Sequence, residues 1–530
     1  MFKRLLRIYH TLKYLKPVQF YFRGFYFLRN KIFGNNLKFV SYPIDKKSDL
    51  PLLEFPKSRV SYKNIADFEF LNFSKKFKSF RNIDWNYFEF GKLWCYNLNY
   101  FDFLLQQDLS KEEGLKLIND YISKAEVLKD GLEPYPISLR NINWIKFLTI
   151  HHISNKKIDS FIYSCYLHLL KNLEYHLLGN HLLENAFSIF MGSIYFNDEK
   201  LYERAKRNLK TELTEQILDD GAHFELSPMY HHILLERLLD SINFAKSSTE
   251  FEDQTFLDFL SKKAEVMLSW MEKMKMSNGD MPLLNDSGLE IAKSADALIE
   301  YAQSIGVTAS ENTILKSSGY RKYKSPNWEL ITDAGKPGPE YIPGHSHADI
   351  GNFILYNNNK PFIIDPGIST YEKNGRRNLE RSTEFHNTVV VDAKNQSDVW
   401  GGFRLGKRAE VKILKESGSY LKLSHNGYKS ICGDHIREFQ FSDTLITIQD
   451  VLSIGSRNCS AIAYFHLSKS IKIVDKGTDE ISFDNGVIMK FANAISIDVE
   501  KYNCPDGFNS YITCDKLAVH FNKSLETQIF

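Results

Sequence analysis

Close cysteine pairs are missing from this chain. Its six cysteines (Cys95, Cys165, Cys432, Cys459, Cys504, Cys514) lie scattered along 530 residues with no Cys-x-x-Cys among them. That spacing excludes a cysteine zinc site and reads as reduced or buried thiols rather than a disulfide framework. Net charge is nearly absent as well, at +2. A nucleic-acid partner is therefore not expected, and an anionic ligand would need local positive charge. No apolar run is long enough to span a membrane. The start, Met1 to Phe33, mixes Lys and Arg with Tyr, Phe and Leu and has neither an uninterrupted apolar core nor a small-residue cleavage site. It reads as no signal peptide, and as helix docked on the protein's own body or against an anionic membrane surface. No sequence repeat of fixed period marks a solenoid.

What is present is a globular composition, 43% apolar and 25% charged, with aromatics at 14%. The length calls for more than one core. Three regions are expected: a lead-in of short helices and extended pieces over 1–83, a helical domain over 84–306, and a sheet domain over 307–530. The middle region carries helix signals over Leu105–Val127, Asn141–Ile153, Ile158–Leu178, His181–Tyr195, Glu199–Ile217, Pro228–Ala245 and Phe256–Met274. Some, such as His181–Met191, are apolar nearly all round and imply an inner layer. A two-layered helical array curled into a toroid would account for that. After about Val307, short runs of Val, Ile, Phe and Tyr alternate with Gly, Asn and Asp, the texture of an antiparallel β-sandwich. A site is expected where the two regions meet.

The densest chemistry lies between Pro343 and Val391. Phe353–Tyr356 and Phe362–Ile364 flank Asn357-Asn-Asn-Lys360 and read as a hairpin. His347 would precede one strand, Asp365 would follow the other, and His386 precedes a third. These three make a candidate zinc site with one position open to water. His345 is left for proton chemistry. The alternative is loop histidines that satisfy backbone groups.

Three helical stretches complete the set. In Gly179-Asn180-His181-Leu-Leu-Glu184-Asn185, Asn180 can cap a helix and Glu184 follows His181 on the same face. In Asp220 to His232, Ser227 and Pro228 start a helix with Tyr230 in its first turn beside His231. Two helix N-termini at one cleft would favour an anionic substrate. In Tyr135 to Trp144, Arg140 offers a carboxylate fork, Asn143 a polar contact and Trp144 a stacking face. A structural Arg with a core Trp is the competing reading.

Together with Gly344-His-Ser-His-Ala-Asp349, Asp365-Pro-Gly367, Arg381-Ser-Thr383 and His386-Asn-Thr-Val-Val-Val391, these stretches resemble the heparinase II/III-like polysaccharide lyases, a group related to alginate lyases. The likeness runs from about residue 90 to 410. It implies an incomplete (α/α) toroid followed by an antiparallel β-sandwich, and β-elimination on a uronic-acid-containing polysaccharide. Asn180 and His181, with Glu184 in support, would neutralise the uronate carboxylate. Tyr230 would be general acid, and base for one C5 epimer, with His345 as the other proton acceptor. His347, Asp365 and His386 match the ligands of a mainly structural Zn2+. Glu184, Arg140, Asn143, Trp144 and His231 would be substrate contacts. Asn99 departs from the histidine expected there, which leaves distal subsites unassigned. The resemblance is nearest to signal-less members of capsule or exopolysaccharide clusters. It implies a cytoplasmic protein, at the inner membrane face or in a biosynthetic complex, rather than a periplasmic one. A metal-dependent glycan hydrolase and an idle glycan-binding or assembly protein are the rival readings.

Overall fold

The computed structural model describes residues 2–41, 50–311, 313–453 and 459–530; residues 42–49 of the expected lead-in lie outside the described residues. Twelve α-helices occur among them. They are α1 (Phe2–Leu12), α2 (Pro17–Phe33), α3 (Lys92–Tyr100), α4 (Lys111–Ser123), α5 (Pro134–Ile150), α6 (Lys156–Lys171), α7 (Gly179–Phe196), α8 (Glu199–Gln216), α9 (Pro228–Ser247), α10 (Gln254–Met274), α11 (Ala295–Ser304) and the short α12 (Gly375–Glu380).

The helices from α5 onward alternate between two layers, for a reason visible in their sequences. In α7 every residue except His181 is buried, and α5 is buried from Pro136 to Leu148. Helices apolar on all sides must be enclosed, and α5, α7 and α9 pack on one another as the inner layer. Helix α8 is polar along one face and buries a single stripe including Leu201, Ala205, Leu209 and Leu213, so it lies outside against α7. This is the incomplete toroid, with α6, α8 and α10 outermost. N-caps start the outer helices cleanly: Asn155, Asp198 and Asp253 each accept a backbone N–H of the first turn.

The lead-in up to residue 83 has no core of its own. Leu50, Phe55, Tyr62, Phe68 and Ile83 belong to the same apolar core as the inner helices, because the lead-in folds onto the toroid.

The C-terminal half is a β-sandwich. An eight-stranded antiparallel sheet and a four-stranded sheet bury Leu421, Phe439, Ile446, Ala461, Leu517 and Val519 in one core. A second four-stranded sheet, Tyr320–Lys324, Trp328–Asp333, Phe353–Asn357 and Lys360–Ile363, faces the helices. The expected hairpin is there, with Leu355 opposite Ile363. Tyr320, Ile331 and Ile354 from this sheet join Leu226, Trp270 and Met274 from the toroid in a shared cluster. Tyr320 Oη also donates to Leu226 O at 2.6 Å. Cys432 and Cys459 are disulfide-bonded, against the expectation of reduced thiols. They are 27 residues apart in sequence, so local spacing carried no sign of the pairing.

Candidate functional site

A cavity of about 1700 Å³ lies between the toroid and the sheet half. Asn180, His181, Tyr230, His345 and Asn143 line it, as do Tyr100, Tyr135 and Tyr371. Its wall carries ten Lys and Arg side chains against five Asp and Glu, which biases it toward an anionic ligand.

Left-handed backbone sets the local geometry. Leu178, Leu226 and Asn285 all have positive φ (67°, 59° and 53°) and stand within two residues of Asn180, Ser227 and Asp286 respectively. A leucine in this region costs about 1–2 kcal/mol, a cost typically tolerated where function fixes the chain. Gly179 is at φ +58°, and a Cβ there would lie 2.4 Å from Glu225 Oε1. Only glycine lets Glu225 close on the next residue. That carboxylate accepts from Asn180 N at 2.8 Å and from Asn180 Nδ2 at 2.9 Å, fixing the carboxamide at the start of α7. Ser227 caps α9, accepting from Tyr230 N, and its hydroxyl donates to Asp286 O at 2.8 Å.

The Tyr230 ring lies against His345, with centroids 4.0 Å apart and the planes tilted by 34°. Burial pushes the Tyr230 hydroxyl well above its ordinary pKa, with Asp286 and Glu225 adding to the shift and Tyr371 and Arg377 opposing it. The phenol is therefore protonated at rest. His345 Nε2 lies 3.2 Å from Glu225 Oε2 and 3.4 Å from Asn180 Nδ2, and Nδ1 donates to Asp286 Oδ2 at 2.8 Å. Asp286 is fully buried and anchors this region. Arg377 donates to it through both terminal nitrogens, at 2.5 and 2.6 Å, and holds its carboxyl well below the usual carboxylate range against the opposing effect of burial. Arg381 pins the same loop by donating to Ser346 O at 2.8 Å.

Behind His345 the expected metal residues form a series. His347 Nε2 donates to Asp286 Oδ1 and His386 Nδ1 to Asp365 Oδ2, both at 2.8 Å. With those nitrogens protonated, His347 Nδ1 and His386 Nε2 turn lone pairs toward each other at 3.2 Å. A proton on His386, whose imidazole pKa Asp365 raises against the opposing effect of burial, satisfies that contact, and so would a metal ion. The separation is close to the roughly 3.3 Å between two nitrogens on one tetrahedral zinc at 2.0–2.1 Å. A carboxylate behind each ring is the usual outer support of metal-bound histidines. The two ring nitrogens are spaced for a shared metal ion, but Asp365 lies behind His386, so the expected set of His347, Asp365 and His386 does not converge on one point. Among the described residues, the group of such donors that does converge is Asp392, Cys432 and Cys459, and its cysteines are joined to each other.

Several expected site residues stand elsewhere. Trp144 is fully buried among Phe101, Tyr121 and Phe161. Arg140 is buried too, donating to Gly131 O at 2.7 Å and lying over Tyr121. Both belong to the core because α5 is an inner helix, and neither can reach a sugar. His231 accepts from His223 N and meets Met267 O at 3.0 Å, so it braces the α9–α10 packing. Glu184 does not support His181. It faces Arg237 at 3.5 Å inside the toroid, where burial raises its carboxyl to about 7. The partner of His181 is Glu174, 3.1 Å from Nδ1. Burial alone would lower the imidazole pKa, but Glu174 outweighs it and the net shift is upward. Glu174, Glu225, Asp286, Arg377 and Tyr371 were not singled out from the sequence. Glu225 lay inside a recognised stretch, whereas Asp286 sits in an aperiodic loop with no local signal.

Comparison with known proteins bears on the family and the fold. Residues 136–312 match the family model described as heparinase II/III N-terminus, and residues 309–529 match heparinase II/III-like, C-terminal. A heparin-sulfate lyase of Bacteroides stercoris is 26% identical over 282 residues, covering 47% of this chain and 41% of that protein. A heparin-sulfate lyase of Bacteroides thetaiotaomicron is 22% identical over 379 residues, covering 61% and 52%. The matched region thus spans about half, or less, of these relatives. One solved heparinase III aligns with a TM-score of 0.66 at 16% identity, over 86% of this chain and 80% of that one. Another aligns at 0.61 and 19% identity, over 84% and 80%. At such identities the structures establish a common fold.

Proposed function

Since the chain belongs to the heparinase II/III-like family, we propose that it is a polysaccharide lyase that cleaves a uronic-acid-containing polymer by β-elimination. The observation that carries this reading is the convergence of Asn180, His181, Tyr230 and His345 on one cationic cavity. Elimination needs the C5 proton removed beside a carboxylate whose negative charge makes that proton weakly acidic. Donors aimed at the carboxylate lower the barrier by stabilising the charge that builds there. Asn180, held by Glu225, and His181, whose protonated form Glu174 favours, are such donors. Tyr230, protonated at rest, gives its proton to the leaving glycosidic oxygen and serves as base for one C5 epimer. His345, backed by ionised Asp286, accepts the proton from the other. The relatives named as heparin-sulfate lyases support an acidic polysaccharide as substrate, and the polymer we propose is a bacterial capsule or exopolysaccharide.

The same reading includes a zinc ion held by His347 and His386, with Asp286 and Asp365 orienting the two rings. When bound it would supply a fixed positive charge that holds the His345 loop in place. Removing metal with a chelator should lower the melting temperature by several degrees, with about one zinc per chain released. A chain that carries no metal as isolated and melts unchanged after chelation overturns the zinc assignment.

Elimination leaves an unsaturated sugar that absorbs in the near ultraviolet, whereas hydrolysis leaves none. Screening uronate polymers, the source organism's own capsule included, for rising absorbance tests the proposal. Flat traces on every acidic polymer, with cleavage of a neutral one, would sink it.

A further inference from the structure

The cavity accounts for one face of the N-terminal helices and leaves the other unexplained. Helix α2 lies on the segment that leads into α7. Gln19 Nε2 donates to Leu177 O at 3.2 Å, Tyr26 Oη to Leu173 O at 2.6 Å, and Phe22 stacks on Tyr175. Helix α1 lies on the sheet half instead. Arg7 forks onto Asp398 at 2.7 and 2.8 Å, and Trp400 Nε1 donates to Thr11 Oγ1. The pair straddles both halves at the rim of the cavity, and Arg4, Arg7, Ile8 and Arg23 line it.

The opposite faces are apolar and open. On α1, Leu5, Leu6 and Tyr9 are exposed; they recur at helical spacing and none lines the cavity. On α2, Tyr21, Phe27, Ile32 and Phe33 are 64%, 67%, 68% and 81% exposed, with Phe20, Phe25 and Leu28 beside them. Single exposed apolar residues are ordinary, but a concentration on two adjacent helices marks a binding surface.

The charges around it are of one sign. Phe2–Phe33 contains no Asp or Glu; of its cations, Arg4 and Arg23 line the cavity and Arg29 donates to Lys171 O and Asn172, which leaves Lys13 and Lys31 for the outer side. Among the described residues, only Arg7 and Lys16 of this segment have carboxylate partners, Asp398 and Glu215. Exposed aromatics flanked by lysines without carboxylate partners among the described residues complement an anionic lipid surface, with rings at the headgroup boundary and ammonium groups on phosphate. A second copy of the chain would set the same cationic face against itself. No described helix is long and apolar enough to cross a membrane, so these two would lie along it.

The geometry points to α1 and α2 as a peripheral anchor that binds anionic bilayers through Leu5, Leu6, Tyr9, Phe27, Leu28 and Ile32. The cavity rim is thereby held beside the membrane, where a polymer still attached to or emerging from it would be met.

Flotation of the full chain with phosphatidylcholine vesicles, with and without phosphatidylglycerol, tests this. The wild-type chain should float about tenfold more with phosphatidylglycerol present, and the preference should shrink at high salt. Phe27→Ser/Leu28→Ser/Ile32→Ser should abolish flotation with unchanged circular dichroism and melting, since these side chains are exposed. Lys13→Glu/Lys31→Glu should remove the lipid preference alone. Two outcomes overturn the proposal. In one, the wild-type chain fails to float on either lipid. In the other, it self-associates in light scattering and the triple serine variant dissociates it, which assigns the face to a second copy.

Discussion

The two walls of the cavity are built on opposite principles. The helical wall presents Asn180, His181 and Tyr230 from the first turns of α7 and α9, with His181 and Tyr230 only half-buried. The sheet wall presents His345 as the visible end of a buried series running through Asp286 to His347, His386 and Asp365. On the helical wall, helix geometry does the positioning, Asn180 and His181 each lean on one carboxylate, and Tyr230 packs on His345. On the sheet wall, the loop from Pro343 to Ala348 has no regular structure, and side-chain bonds position it instead. A helix terminus supplies orientation through its own backbone, whereas a loop must obtain it from a network. The helical wall should therefore fail chemically when altered, and the sheet wall structurally.

Tyr230→Phe puts the strongest strain on that contrast. Loss of the phenol should cut kcat by about 10²–10⁴-fold, with KM and melting nearly unchanged. A variant that turns over at the wild-type rate would remove the helical wall from the chemistry.

Arg377→Met tests the sheet wall. It leaves Asp286 ionised, buried and without its guanidinium, which should cost about 3–5 kcal/mol in denaturant unfolding. Activity should fall only as far as His345 is displaced. Unchanged stability would mean the buried series does not hold the loop.

Glu225→Gln is subtler, because it keeps the shape but sets an amide against Asn180 N and Nδ2. A drop of roughly tenfold in kcat/KM is expected, with melting little affected. A purely structural Glu225 would reverse that order.

The smallest effect concerns pH. The imidazole of His181 is raised in the folded protein, so its stabilising pairing with Glu174 is complete below the ordinary histidine pKa and fades as pH rises through the raised value. Carboxylate neutralisation should follow the same limb, with kcat/KM falling on the alkaline side. Glu174→Gln should move that limb to lower pH without changing the acid side. A profile identical to wild type would separate His181 from substrate binding.

Much of this arrangement was readable beforehand, for identifiable reasons. Helices α7, α8, α9 and α10 begin and end within two residues of their expected limits, because caps such as Asp198 and Ser227 and continuous periodicity mark them. The Phe353–Ile363 hairpin was legible from the asparagine turn between β-formers. Arg140 and Trp144 were misplaced by a specific ambiguity. Polar and aromatic side chains on an inner helix look the same in sequence whether they point to a cavity or a neighbouring helix. Glu184 was misplaced by another: a spacing of three put it near His181, but the chain before α7 brings Glu174 closer.

The sequence by itself determined the order of helices and strands, the all-apolar inner layer and the clustering of histidines around residue 345. These depend on periodicity, capping and turn chemistry that act within a few residues. Only the tertiary structure decided that Glu225 holds Asn180, that Asp286 joins two histidines to Arg377, and that α1 and α2 bridge the halves with an apolar face outward. Those pairings link segments tens to hundreds of residues apart, and they arise only once the toroid and the sandwich close on each other.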